Sequence, residues 1–356
     1  MKILADASLP GLLEAFPKPF ELNLYNDINE LAAKLAGQQI LLCRANLKVN
    51  EDLLKNVQTL LYVATASSGS DHIDKFYLAL NKIEWIDAKG SNAIAVADYV
   101  IATLAFLQKY KGFSGSRAGV IGVGEVGSRV VSRLKAAGMS VILNDPLKAE
   151  VDNNFISSSL KEISECDLIS VHVNLHDNLP YPSKDLLNEK FLKQLKPGTV
   201  LINSSRGGIV NEEALLKESK SLIYCADVFK NEPSINKKIV DMATLCTPHI
   251  AGHSIEAKYR AVAMISEKLH AFLNLKPPVA KFPIIAKGIP LPRAANWQDL
   301  VLALYNPGNE TALLKTSHNI GLRFQTLRKA HHNRHDFCSY PIQSSNGDLY
   351  QLLGSK

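Results

Sequence analysis

The chain has 356 residues, of which 46% are hydrophobic and 21% charged, with a net charge of +6. That balance excludes a largely disordered chain, and the length is enough for two or three separate cores. The charge is mild and forms no basic tract, which excludes a nucleic-acid partner; it suits a small anionic ligand or simply a solvated surface.

In chain order, the opening MKILADASLPGLLEAF reads as a first strand and helix rather than a signal peptide. Short apolar runs at Ile3–Ala5, Ile40–Leu42 and Leu61–Ala64 are separated by helical patterns, which predicts a parallel sheet covered by helices. Between them, His72 in the Asp71-His72-Ile73-Asp74 turn is assigned to a polar helix start, not to a metal. The periodicity from Ala93 to Tyr110 predicts a long helix, suited to bridging two domains, and no apolar run is expected to serve as a membrane span.

A second alternating series follows: a strand at Gly119–Val123, a helix at Glu125–Gly138, then strands at Val141–Asp145, Leu168–Val173, Val200–Asn203 and Tyr224–Val228. Leu245 leads into Thr247-Pro248-His249, and Ser254–Leu273 reads as one long helix. Prolines then cluster from Pro277 to Pro292, and the tail beyond carries helical patterns of its own, as expected of a linker and a small further domain. The i, i+4 histidines of His331-His332-Asn333-Arg334-His335 are assigned to a solvated helix face, since nothing nearby completes a metal site. Five scattered cysteines without a CxxC pair fit reduced thiols in the cytoplasm.

The strongest motif is Gly122-Val123-Gly124-Glu125-Val126-Gly127, which closes one strand and opens a helix. Its three glycines suit a tight turn, a close approach of a pyrophosphate to the backbone, and close helix–sheet packing. The next strand ends at Asp145, the spacing of an acid that bonds an adenosine ribose and repels a 2′-phosphate. The pattern predicts NAD as cofactor in preference to NADP.

Three further segments end strands: Ile202–Gly208, Asp227–Pro233 and Thr247–Gly252. They bring Arg206, Glu232 and His249 to the edge where open α/β sheets bind ligands. Alone, Arg206 could cap a strand end, Glu232 could be a surface acid and His249 a core histidine. Together, downstream of a dinucleotide loop, they suit oxidation of a hydroxy acid: His249 takes the hydroxyl proton, Glu232 orients the imidazole, and Arg206 forks a carboxylate.

The glycine loop with SRGGIVNEEAL, DVFKNEP and PHIAGHS resembles the D-isomer-specific 2-hydroxyacid dehydrogenases. Within that family, Cys43-Arg44 with Lys48–Glu51, the Ala64–Asp74 segment, Gly90–Val96 and Thr326–Lys329 resemble a member that acts on a phosphorylated four-carbon acid and carries an extra C-terminal dimerisation domain. The resemblance implies an α/β fold in which a Rossmann-type NAD domain (93–262) is inserted in a flavodoxin-like split substrate domain (1–92 and 263–285), followed by a small α+β dimerisation domain (286–356). It implies Arg206, Glu232 and His249 as the catalytic residues. It implies Gly122, Gly124, Glu125, Val126, Gly127, Asp145, Ser205, Arg206, Asp227 and Gly252 as cofactor contacts. For the substrate it implies Arg44, Ser67 and His253. Arg44 either holds the phosphate or pairs with a nearby acid. Ala45 stands where the family often has serine, and His253 where it often has tyrosine. A homodimer without metal or membrane partner is expected. The alternatives are a dehydrogenase of phosphoglycerate, glyoxylate or hydroxypyruvate, and an NAD-responsive binding module.

Overall fold

The computed structural model describes residues 1–218, 222–279, 290–341 and 347–354. They divide into two compact units: Met1–Asn92 with the segment from Ser254, and Ala93–His253 with the described residues after 289.

Five parallel strands build the first unit: β1 (Lys2–Asp6), β2 (Glu21–Tyr25), β3 (Ile40–Cys43), β4 (Tyr62–Thr65) and β5 (Glu84–Asp87), in the order β2-β1-β3-β4-β5. This is the flavodoxin-like order, whose switch point lies between β1 and β3. Strand alternation divides the apolar side chains between two cores. Ile3, Ala5, Ile40, Leu42 and Ala64 pack with Val262, Ile265 and Leu269, while Leu4, Leu41, Cys43 and Val63 pack with Leu31, Leu54 and Leu78.

In the second unit the strands are β6 (Arg117–Ile121), β7 (Ser140–Asn144), β8 (Leu168–Val171), β9 (Val200–Asn203), β10 (Ile223–Ala226) and β11 (Leu245–Cys246). All are parallel, in the order β11-β10-β9-β8-β6-β7, a doubly wound sheet whose switch point lies between β6 and β8, where a Rossmann-type domain binds its dinucleotide; among the described residues no third strand lies beyond β7.

Three expectations change. The chain enters the first unit at Ser254, not at 263, because helix Ile255–Phe272 is continuous. Ser254 Oγ caps it by accepting from Ala257 N (3.0 Å), and its face from Ala257 to Leu269 is buried. Next, helix Ala93–Lys111 has the length and apolarity to cross a membrane, contrary to the sequence reading. It is instead a core helix of the second unit, with Tyr99, Val100, Leu104 and Leu107 buried and Asp98 ion-paired to buried Arg133.

The third change concerns the tail. Its described elements after 290 are helical: Trp297–Leu304, Gly308–Lys315, Ile320–Ala330 and Gly347–Leu352. They pack into the second unit's own cores through Leu300, Val301, Tyr305, Phe337 and Leu353 on one side and Leu314 and Phe324 on the other. Residues 280–289, which hold much of the expected linker and the 285/286 boundary, lie outside the described residues. The histidine cluster is not on a helix, since helix Ile320–Ala330 ends with His331 as its C-cap. Arg334 and His335 are each only 6% exposed, while His332 and Asn333 are exposed, so the cluster is solvated only in part.

Candidate active site

The glycine loop leaves β6 at the switch point. Gly122 has φ 84°, and a Cβ there would lie 2.8 Å from the backbone of His172, so only glycine fits the turn. A Cβ on Gly127 would stand 1.9 Å from Gly122 O, which shows how tightly helix Glu125–Ala136 sits on the turn. At Gly124 a Cβ would meet nothing within 4 Å. Here the protein itself does not demand glycine, and the open space is where an anion would lie. No side chain caps this helix, so its first N–H groups, at Glu125 and Val126, point to that space with the positive end of the helix dipole. The residues fit a dinucleotide pyrophosphate.

Asp145 follows β7. Its Oδ2 accepts from Val123 N (2.8 Å) and its Oδ1 from Lys148 N (3.0 Å). The carboxylate therefore caps helix Pro146–Val151 and braces the glycine loop, a structural duty added to the expected ribose contact. Each carboxylate oxygen retains a second lone pair for a hydroxyl donor.

The other three loops follow β9, β10 and β11. Asn203, the last residue of β9, sets the first: its Oδ1 accepts from Ser205 N (3.2 Å) and Oγ (3.1 Å), and its Nδ2 donates to Arg206 O (3.0 Å). Arg206 Nη1 donates to Ser205 O at 2.8 Å. After β10, Glu232 Oε1 accepts from Phe229 N (2.9 Å), while Oε2 meets His249 Nδ1 at 2.7 Å. Burial raises the Glu232 pKa, but the His249 hydrogen bond and charge, the Phe229 N–H and the Arg328 charge outweigh it, so the carboxyl is held below its usual range. His249 Nε2 has no hydrogen-bond partner among the described residues.

Asp227 is fully buried and organises the turn that carries His249. Its Oδ1 accepts from Thr247 Oγ1 (2.7 Å) and Ile250 N (2.8 Å), its Oδ2 from Ala251 N (2.8 Å), and its own carbonyl from His249 N (2.8 Å). Burial pushes its carboxyl above the usual range, and these donors with the His249 charge pull it back. Thr247 spends its one proton on Asp227, so Tyr99, 2.8 Å from Thr247 Oγ1, donates to it. Sequence reasoning missed this relay, because Tyr99 lies in an otherwise apolar helix and Thr247 reads as a strand end. Gly252 follows the turn, and His253 N donates back to Ile250 O (2.9 Å). The His253 ring lies 6.3 Å from that of His331.

Arg44 and Ser67 belong to the first unit. Arg44 follows β3 at the switch point and its Nε donates to Asp6 Oδ2 at 2.8 Å, so it does pair with an acid. That bond occupies Nε alone; no bond to its Nη groups is present among the described residues. Ser67 Oγ accepts from Ala45 N (3.0 Å) and so fixes the Arg44–Ala45 turn. Lys258, which the sequence did not single out, is half-buried in the same unit and has no bonded partner at Nζ among the described residues. Burial, and then the positive charge of Arg44, lower its pKa. Among the described residues no cluster of His, Cys, Asp and Glu is arranged to hold a metal.

Residues 102–251 match the family described as D-isomer specific 2-hydroxyacid dehydrogenase, NAD binding domain. An erythronate-4-phosphate dehydrogenase of Legionella pneumophila is 52% identical over 99% of this chain and 100% of its own length. Another, of Coxiella burnetii, is 34% identical over 96% of this chain and 95% of its own. Among solved structures, NAD+-bound 3-phosphoglycerate dehydrogenase of Entamoeba histolytica shares the fold, with a TM-score of 0.66 and 23% identity over 79% of this chain and 99% of that one. Fold, loop and relatives together define an NAD-dependent oxidoreductase of the D-2-hydroxyacid class. The chain belongs to the erythronate-4-phosphate dehydrogenase family.

Proposed function

We propose that the chain oxidises 4-phospho-D-erythronate to 2-oxo-3-hydroxy-4-phosphobutanoate, a step toward pyridoxal 5′-phosphate. The observation that carries the reading is the 2.7 Å pair between His249 Nδ1 and Glu232 Oε2, with Nε2 left for a substrate hydroxyl. The full-length relatives named for erythronate 4-phosphate support the choice of substrate.

NAD, when bound, supplies the hydride acceptor. Gly122, Gly124, Glu125, Val126 and Gly127 would hold its pyrophosphate, Asp145 its ribose, and Ser205, Arg206, Asp227 and Gly252 its nicotinamide end. His249 Nε2 takes the C2 hydroxyl proton as the C2 hydrogen leaves with its electron pair, and Glu232 stabilises the imidazolium that results. Arg206 binds the substrate carboxylate and places positive charge beside the developing carbonyl. Arg44, steadied by Asp6 and Ser67, would receive the phosphate together with Lys258, and His253 is assigned a substrate contact.

Two further assignments belong to this reading. The protein works in the cytoplasm, which the five free cysteines support. It is a homodimer through the tail, whose outer face exposes Leu313 (46%) and Leu322 (61%). The test of function is NADH appearance with 4-phosphoerythronate, 3-phosphoglycerate and D-lactate side by side. The first should show the highest kcat/KM; a higher value for either of the others overturns the substrate assignment.

A further inference from the structure

The turn that carries His249 is strained. His249 has φ 55°, a left-handed conformation that costs a non-glycine residue on the order of 1–2 kcal/mol and persists only where the surroundings impose it. Asp227 holds this turn from one side, through the N–H groups of His249, Ile250 and Ala251. On its other side stands the C-terminal tail.

We infer that Arg334 of the tail is a positioning residue for His249, holding the catalytic turn by its Ala251 carbonyl. Its Nη2 donates to Ala251 O, two residues beyond His249, and to Ala95 O (3.0 Å) at the start of helix Ala93–Lys111. Its guanidinium lies 4.8 Å from the centre of the Tyr305 ring. Tyr305 in turn packs 6.3 Å from Tyr99, the hydroxyl that ends the relay through Thr247 to Asp227.

The same tail backs the Glu232 loop. Phe324 meets Phe229 edge-on at 6.2 Å, and the Phe229 N–H is what holds Glu232 Oε1. Both partners of the His249–Glu232 pair therefore rest on tail residues of their own unit.

The identity of the residue matters. An arginine that is 6% exposed is costly unless its charge is matched and its donors used. The match is local: Asp98 and Asp336 are fully buried, and Asp98 takes Arg133 as well as the N–H of Phe337, three residues beyond Arg334. Both carbonyls are held by the two N–H groups of Nη2, while Nε and Nη1 are buried without a hydrogen-bond partner among the described residues. The guanidinium lying over the Tyr305 ring fixes the direction of Nη2, which a lysine ammonium on a flexible stem would not share. The tail fills the second unit's cores and exposes an outer apolar face. Here it is part of the machinery that fixes the base.

The inference rests on the reading of His249 as the base, and the test separates the two. Arg334→Lys and Arg334→Met are compared with wild type and His249→Ala for kcat, KM and the pH profile of kcat/KM. A base misplaced by a fraction of an ångström costs about ten- to a hundred-fold, so kcat should fall by that order in the Arg334→Met protein and less in Arg334→Lys. KM for 4-phosphoerythronate should stay within about two-fold, because the substrate-binding groups are untouched. The ascending limb of the pH profile should move to lower pH, since a loosened Glu232 contact stabilises the imidazolium less. A merely structural role lowers the native fraction and moves neither the limb nor the kcat of the native molecules. Tyr305→Leu, which removes the ring beneath the guanidinium together with its contacts to Tyr99 and Glu310 and leaves Arg334 in place, serves if Arg334→Met does not fold, and should give the same shift in smaller size. Folded Arg334→Lys and Arg334→Met proteins with unchanged kcat and profile overturn the inference, as does an unchanged profile in Tyr305→Leu. Full turnover in His249→Ala overturns the reading beneath it instead.

Discussion

His249 Nδ1 and Glu232 Oε2 stand 2.7 Å apart although they follow different strands, β11 and β10. The contact fixes the tautomer: with the proton on Nδ1 and directed at a carboxylate, Nε2 is the basic nitrogen. Replacing His249 by Ala should therefore reduce kcat by about 10²–10⁴-fold while NAD binding, followed by fluorescence titration, stays close to wild type. A kcat near wild type in this variant refutes the assignment.

Glu232→Gln should be milder and should show in the pH profile. The Glu232 carboxyl is held below its usual range, so it is ionised throughout the working range and favours the imidazolium. Its amide cannot do so, and the ascending limb of kcat/KM should shift to lower pH. The linked stability has a definite sign. A carboxyl with a depressed folded pKa contributes stability above its unfolded pKa, and that contribution disappears as pH falls through the folded value. Wild type should thus lose stability relative to Glu232→Gln in acid, read as converging unfolding midpoints; curves that stay parallel contradict the sign.

Much of this was legible in the sequence because it is written in local patterns. Alternating apolar runs and helical periodicity gave both sheets, and the glycine triplet with an acid one strand later gave the cofactor loop. Arg206, Glu232 and His249 were legible because each directly follows a strand. The tail was not. Arg334 bonds Ala251 and Ala95, 83 and 239 positions away, and no periodicity encodes such a contact. The histidine spacing misled for a related reason: i, i+4 implies one face only if the helix continues, and this one stops at Ala330. Leu300 and Phe324 are spent on the chain's own cores, not on a partner surface.

Asp145 makes cofactor choice testable. Its carboxylate should bond the ribose hydroxyls and repel a 2′-phosphate, so kcat/KM should be higher with NAD than with NADP, and equal or reversed efficiencies would sink the claim. Because the same group caps helix Pro146–Val151 and holds Val123 N, Asp145→Ala should also cost about 0.5–2 kcal/mol of stability, the usual worth of an N-cap. An Asp145→Ala protein as stable as wild type would mean that the cap and the brace contribute nothing.

Asp227→Asn tests the buried anchor of the catalytic turn. Its carboxylate accepts from Thr247, Ile250 and Ala251, and an amide must point an N–H group at one of these donors. Leaving a buried donor unmatched costs about 1–3 kcal/mol, so the unfolding midpoint should fall, and kcat with it. Unchanged stability would show that a protonated carboxyl already occupies the site.

Self-association should depend on the exposed leucines rather than on the tail's interior, because removing the tail would strip the second unit's core. Leu322→Glu, with Leu322 61% exposed, places a charge on the outer face without touching that core. Sedimentation should show a dimer for wild type and a shift toward monomer for the variant, at equal thermal stability. A variant that stays fully dimeric places the interface elsewhere.

The phosphate end of the substrate needs donors of its own, since Arg206 serves the carboxylate. In the first unit Arg44 is held by Asp6 through Nε, which leaves the two Nη groups to bind, and Lys258, whose Nζ has no bonded partner among the described residues, adds a second cation near it. The Arg44 charge helps to lower the Lys258 pKa, and an anion bound at these two cations would relieve that repulsion; a phosphate dianion is the strongest available. A hydrogen bond to a charged group contributes about 1.5–3 kcal/mol, or roughly ten- to a hundred-fold in affinity. Arg44→Ala should therefore raise KM for 4-phosphoerythronate by that factor and leave activity on an unphosphorylated 2-hydroxy acid almost unchanged. Lys258→Met should do the same to a smaller extent, because a point ammonium lacks the paired donors that the Arg44 guanidinium offers a phosphate. Ser67→Ala offers an internal comparison: it frees the Ala45 N–H and so lets the Arg44 turn relax, and its effect should be small in wild type and absent in the Arg44→Ala background. If both substrates suffer alike in Arg44→Ala, the Asp6–Arg44 pair supports the β1–β3 switch point only, and the phosphate is held by other groups.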